Sequence, residues 1–309
     1  MIEEIVFKGV KGIKLFNKCI SVVVLPSIGG KIASCYHKAK DFELLFQNKQ
    51  GYYRQAELGE DFVLFDCSGF DDCFPTIDSC NIKYENKQIE YPDHGEIWTA
   101  DFDYKIEKES VGLLYCSQLL SYVYRKRVSI KDNKLHLSYK ITNQGKEIIP
   151  CLWAMHCLIN CSEEMRLHFP TQTNKVENVL ESNYLGEIGK IHPFPLTIDN
   201  YGNEYRLDRV FSNSANKYEK YYVCGKVSEG SCGVYYPLED VRFSINYNKE
   251  LLPYLGFWVS EGGFKDDYNC AFEPSNGYYD SVVTALEKGK VYQLEPGKLL
   301  EFTLELSLS

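Results

Sequence analysis

Residues 299–309 read LLEFTLELSLS, and from Leu300 onward apolar and polar side chains alternate without a break. Successive side chains of an extended chain point to opposite faces, so this segment is a strand with one face in a core and the other in water. The same signature, or a continuous apolar run of strand length, recurs along the chain. It is seen in ISVVVLP (20–26), KIASCYH (31–37), FELLFQ (42–47), IKYEN (82–86), DFDYKIE (101–107), LHLSYKITN (135–143), VYYP (234–237), VRFSINYN (241–248) and YLGFWVSE (254–261). About twenty such segments at the usual strand length fill most of the sequence. Helical periodicity is nearly absent; short helical turns are expected only near YRQAELGED (53–61) and DSVVTALEK (280–288). Many strands without alternating helices exclude a parallel βαβ architecture and predict a large antiparallel sandwich or barrel. No linker or repeat interrupts the pattern, so 1–309 is expected to be one domain, with SNSANKYEK (212–220) as a surface loop.

Composition narrows the function classes. Aromatic residues make up 14% of the chain, with 24 Tyr and 17 Phe, and such side chains both favour strands and offer flat faces to sugar rings. The net charge of −9 argues against nucleic acid, whose phosphates are held by surplus Lys and Arg. The N-terminus MIEEIVFKGVKG lacks a signal-peptide pattern, and no apolar run approaches a membrane span of roughly 18 residues. A cytoplasmic protein with a small-molecule partner is therefore expected, its oligomeric state left open. Twelve scattered cysteines without a C-x-x-C pair read as reduced core residues, and neither a structural zinc nor another metal or cofactor is expected.

Few residues offer chemistry. Gly29-Gly30-Lys31 lacks phosphate-loop spacing and reads as a tight turn. His37, His136, His168 and His192 sit in polar settings and are expected to be solvated. His94, in YPDHGEIW (91–98), lies on an irregular turn leading into a strand. His156, inside the apolar run IIPCLWAMHCLIN (148–160), is expected to be buried, which requires a hydrogen-bond partner. It is either a satisfied core residue or a functional one. Cys157 beside it faces the opposite way and cannot act with it. Glu273 ends the apolar segment YNCAF (268–272) and precedes a Pro-Ser-Asn-Gly turn, a place where a sheet either presents a carboxylate to a pocket or leaves it on the rim.

Three segments together resemble the aldose 1-epimerase, or galactose mutarotase-like, superfamily: PDHGEIW (92–98), LWAMHCLIN (152–160) and AFEPSNGYYD (271–280). LPSIGGKIASCYH (25–37) and LEPGKLLEFTLELSL (294–308) extend the likeness over nearly the whole chain. The resemblance implies a β-supersandwich with substrate in a cleft on one sheet and acid/base chemistry without a metal. It assigns Glu273 as the base at the sugar's O1, His156 as the acid at the ring oxygen, and His94 as a second donor to that oxygen. The chain departs from the family where a substrate-binding arginine usually stands: DCSGFDDCFPTIDSC (66–80) offers Asp71 and Asp72 instead. Near KYEKYYV (217–223), where the family often places an acid, the chain has Lys220. Asp71, Asp72 and Lys220 are thus either substrate contacts or surface charges, and Trp98 and Trp258 either stacking platforms or core. Arg54, Arg125 and Arg127 are the arginines considered for a phosphosugar. Two other readings stay open, a sugar-binding protein without turnover and another carbohydrate-active enzyme, a lyase or glycosidase. The glycosidase would need a second carboxylate, such as Asp71, Asp72 or Asp93, roughly 5–9.5 Å from Glu273.

Overall fold

The computed structural model describes residues 1–84 and 87–309, and about half of them lie in strands. Alternation along Leu299–Leu308 takes the expected form: Leu300, Phe302, Leu304, Leu306 and Leu308 are buried, while Glu301 and Glu305 face outward and pair with Lys140 and Lys134. This strand sits near the middle of an eight-stranded antiparallel sheet, between Val241–Tyr247 and Lys134–Asn143. A second sheet has thirteen strands. Its central order is Lys31–His37, Phe70–Cys73, Ala154–Cys157, Tyr268–Ser275, Tyr254–Glu261 and Lys217–Val223. The architecture is an all-β sandwich, as the residue pattern predicts.

Apolar side chains from both sheets meet in one core. Phe74 packs edge-on to Tyr122 at 5.0 Å between ring centres, and Trp153 lies 4.6 Å from Phe302. The Trp153 indole N–H donates to the Tyr124 hydroxyl at 2.8 Å, so its polar edge is satisfied within the core. All twelve cysteines are free.

The strands near the middle of the larger sheet are buried on both faces, including Ala154–Cys157 and Tyr268–Ser275. One face packs on the core. The other is covered by the segment 46–68, by the turn at 92–98 and by Phe264, whose aromatic rings form a separate apolar cluster with Leu158, Ala271 and Trp258. That second cover is what allows ionisable residues to be buried on a sheet surface.

Several expectations are corrected here. Residues 53–61 form no helix; a 3₁₀ turn follows at Phe62–Leu64, because Gly59 at φ 93 breaks the chain before a helix can form. The helix near 280–288 is present as Val282–Glu287. The His94 turn leads into a 3₁₀ turn, Ile97–Thr99, and not a strand. His37 and His192 are buried, not solvated: His192 bonds to Thr197 and to the Leu185 carbonyl. Strand Cys80–Tyr84 forms, and the last two residues of the segment 82–86 lie outside the described residues.

Candidate active site

Strand register brings the distant sequence segments into one row. Asp71 is opposite His156 on the adjacent strand, and Ala154 is opposite Ser275, which sets His156 beside Glu273 two residues along. Glu273 is opposite Gly256, and Gly256 opposite Tyr222. Paired residues of neighbouring strands share a face, so Asp71, His156, Glu273 and Tyr222 all stand on the covered surface of the large sheet. One step along, the same face carries Leu158, Ala271, Trp258 and Lys220. Gly256 leaves the space this row needs, since a Cβ there would come within 3.1 Å of Glu273 Oε2 and 3.0 Å of the Tyr222 ring.

His94 approaches from above on the turn. It has φ 57, and Gly95 follows at φ 78, where a Cβ would lie 2.2 Å from the Phe74 carbonyl oxygen, so only glycine fits. The turn is anchored by Glu96, which is 0% exposed and accepts from the hydroxyls of Tyr115, Ser117 and Tyr122 and from the amides of Gln118 and Leu119. His94 Nδ1 lies 2.9 Å from Asp93 Oδ1, while Asp93 Oδ2 accepts from the Phe62 amide at 2.9 Å. The rings of His94 and His156 are edge to face at 5.1 Å, and Phe62 stacks on His94 at 4.1 Å.

Glu273 is the centre of the arrangement. It is 0% exposed, and neither oxygen has a directed hydrogen bond. Oε1 faces His156 Nε2 at 4.0 Å, and Oε2 lies 3.1 Å from Lys220 Nζ. Burial pushes the carboxyl up to about 7, opposed by the Lys220 charge and reinforced by Asp280. Burial pushes His156 well below its ordinary value, with the charges of His94 and Lys220 acting in the same direction. His156 Nδ1 is also buried and has no hydrogen-bond partner among the described residues. The hydrogen-bond partner a core histidine needs is missing, which favours a functional histidine over a structural one.

His94, His156, Lys220, Asp280, Asp78 and Trp258 are among the residues lining a cavity of about 170 Å³ at this site. That is small for a ligand pocket, because Phe62 and Val63 close it from above. A larger groove of about 600 Å³ lies along the N-terminal strands, but its lining holds no histidine, and its charges, Glu4, Lys11 and Asp101, are exposed. Convergent buried chemistry, not size, selects the site. Among the described residues, no three His, Cys, Asp or Glu side chains converge as metal ligands do.

The remaining candidates separate clearly. Lys220 reaches the cavity, but its ammonium group is engaged by Glu273 and, at 2.9 Å, by Asp280 Oδ2. Asp71 is on the cleft face and bound to Lys31 at 2.5 Å, with Asp66 at 3.1 Å from the same ammonium. Asp72 points the other way, into the core, where Lys126 pairs with it at 2.8 Å and Tyr139 donates to it at 2.9 Å. It is no substrate contact, because adjacent strand residues face opposite sides. Trp98 is buried under the turn, its N–H donating to the Asp93 carbonyl, and packs on Phe62 and Phe65 without lining the cavity. Trp258 does line it. Arg127 pairs with Glu107, Arg125 is exposed on the other sheet, and Arg54 lies over Phe65, so none of the three lines the cavity.

Sequence reasoning missed Phe62, Lys31, Asp78 and Asp280. Lys31 followed the Gly-Gly turn, and Asp78 and Asp280 end or lie within the quoted motifs, so their proximity to the site was readable. Phe62 carried no signal.

No protein-family model matches the sequence, and no curated protein matches it significantly. Solved structures do match in fold. A galactose mutarotase-related enzyme from Lactobacillus acidophilus is 16% identical with a TM-score of 0.69, over 96% of this chain and 97% of that one. A galactose mutarotase-like protein from Lactobacillus casei is 16% identical with a TM-score of 0.70, over 96% and 100% of the two chains. One from Clostridium acetobutylicum is 12% identical with a TM-score of 0.71, over 100% and 98%. The chain has the galactose mutarotase-like fold.

Proposed function

We propose that this chain, acting as one domain, is an aldose 1-epimerase-like isomerase that interconverts the anomers of a hexose or hexose derivative. The observation that carries this reading is the free Oε1 of buried Glu273, which faces His156, a residue that lines a cavity together with His94. Ring opening needs one group to take the O1 proton and one to give a proton to the ring oxygen. Glu273 in its carboxylate form takes the first proton as the C1–O5 bond breaks and the C1–O1 bond becomes a carbonyl. His156 gives a proton to O5 from its imidazolium form, which burial makes the minor one, leaving a neutral carboxylic acid and a neutral imidazole. After rotation about C1–C2, O5 attacks the opposite carbonyl face and both protons return.

His94 sits beside this pair with Nδ1 engaged by Asp93, so its Nε2 donates to the ring oxygen only in the doubly protonated ring. The fixed orientation of all three groups by strand and turn supplies the alignment that such catalysis requires. Trp258 offers the flat apolar wall on which a sugar face stacks.

The test is polarimetry on a freshly dissolved pure anomer of glucose or galactose. The protein should accelerate re-equilibration and Glu273→Gln should not; equal acceleration by that variant would refute the assignment. Thermal protection by a sugar without any acceleration would favour the binding protein without turnover.

A further inference from the structure

The two oxygens of Glu273 have unequal surroundings, and the cause is a lysine placed where the family often has an acid. Lys220 is 8% exposed on strand Lys217–Val223, with its ammonium 3.1 Å from Glu273 Oε2 and 2.9 Å from Asp280 Oδ2. Asp280 is itself fixed, its Oδ1 accepting from the fully buried Tyr222 hydroxyl at 2.9 Å. The chain Tyr222–Asp280–Lys220–Glu273 therefore ends on one carboxylate oxygen. Oε1 is left without a partner, on the side of His156.

We propose that Lys220, held by Asp280, is a positioning residue that pins Oε2 of Glu273 and so makes Oε1 the proton-accepting atom. A lysine committed to two carboxylates has little left for a phosphate or carboxylate on a substrate, so its task is directed at the base. This rests on the isomerase reading for its catalytic consequence but not for the interaction itself. The charge of Lys220 favours the ionised carboxylate, and that of Asp280 opposes it. The other ionisable groups around Glu273 include His94, His156 and Asp78 at the cavity, Asp71 on the same sheet face, and Cys73 and Tyr222 on nearby strands. All of them remain in both variants below, so a change in titration reports Lys220 or Asp280.

The experiment reads the titration of Glu273 directly, from the carboxyl carbon of 13C-glutamate-labelled protein, with Glu273→Gln identifying the signal. Lys220→Met should move the midpoint upward by roughly 1–3 pH units, and Asp280→Asn should move it downward. The anomer-exchange rate, measured across pH on the same proteins, should have the limb governed by Glu273 displaced in the same two directions. A midpoint unchanged in both variants, or displaced the same way in both, overturns the proposal. If the wild type shows no exchange while the carbon signals move in opposite directions, the isomerase reading falls and the positioning role stands. Asp280→Asn keeps a side chain that still accepts from Tyr222, so it provides the test even if Lys220→Met does not fold.

Discussion

Two glutamates of this protein are both 0% exposed, and they are treated in opposite ways. Glu96, under the His94 turn, receives five hydrogen bonds from three hydroxyls and two amides. Glu273, on the sheet below, receives no directed hydrogen bond and leans on one lysine. A buried carboxylate is costly unless its lone pairs are occupied. Glu96 spends that cost on structure, since its bonds tie the turn to residues 115–122. Glu273 is relieved only by the Lys220 ammonium, and this sparsely held acid beside an unpartnered imidazole is what the proposed proton transfer would use.

The largest contrast is expected from replacing each by glutamine. Glu273→Gln should lower anomer exchange by about 10²–10⁴-fold, the usual worth of a general base, while leaving the protein at least as stable near neutral pH, because a buried charge is removed. Glu96→Gln should do the reverse in kind: chemical denaturation should show a loss of about 3 kcal/mol, because an amide cannot accept from every donor that surrounds it. Equal loss of stability in the two variants would erase the distinction drawn here.

Next in size is the pH dependence. Glu273 has its carboxyl raised from an ordinary 4.5 to about 7 by burial. Between those values the folded state binds the proton and the unfolded state does not, so the contribution of Glu273 to stability is lost as pH rises through this window. Melting curves of wild type and Glu273→Gln should therefore diverge in favour of the variant from about pH 5 to about pH 8. The exchange rate of the wild type should fall above about pH 7, because the reacting form, Glu273 ionised with His156 protonated, is lost once the site has given up its shared proton. A gap between the two proteins that shrinks with rising pH would contradict the sign. The smallest effect is expected at the wall of the cavity, where Trp258→Ala should raise KM roughly tenfold with little change in kcat.

The carboxylate comparison also shows where sequence reading stops. Glu273 and Glu96 each lie in a quoted motif, AFEPSNGYYD and PDHGEIW, but nothing in either string says that one is saturated with donors and the other starved. Adjacent Asp71 and Asp72 make the same point. Both are read from sequence as substrate contacts or surface charges, yet period two forces them apart, one to the cleft and its lysine, the other to Lys126 in the core. Trp98, read from sequence as either a platform or core, packs under a turn, and its spacing from His94 did not choose between the two. Phe62, which stacks on His94 and closes the cavity, lies in a segment without any periodicity to place it.

Local pattern alone determined that the chain is built of strands, which face of Leu299–Leu308 enters the core, and that His156 is buried. Those properties depend on neighbours one or two residues away, and alternation records them. Tertiary structure decided which buried groups meet. Strand register aligned His156 with Glu273 and brought Lys220 from a further segment to that carboxylate, where Asp280, from the turn that follows Glu273, holds the same ammonium. Whether a buried polar atom is left free depends on all the donors that surround it, and these come from segments far apart in the chain.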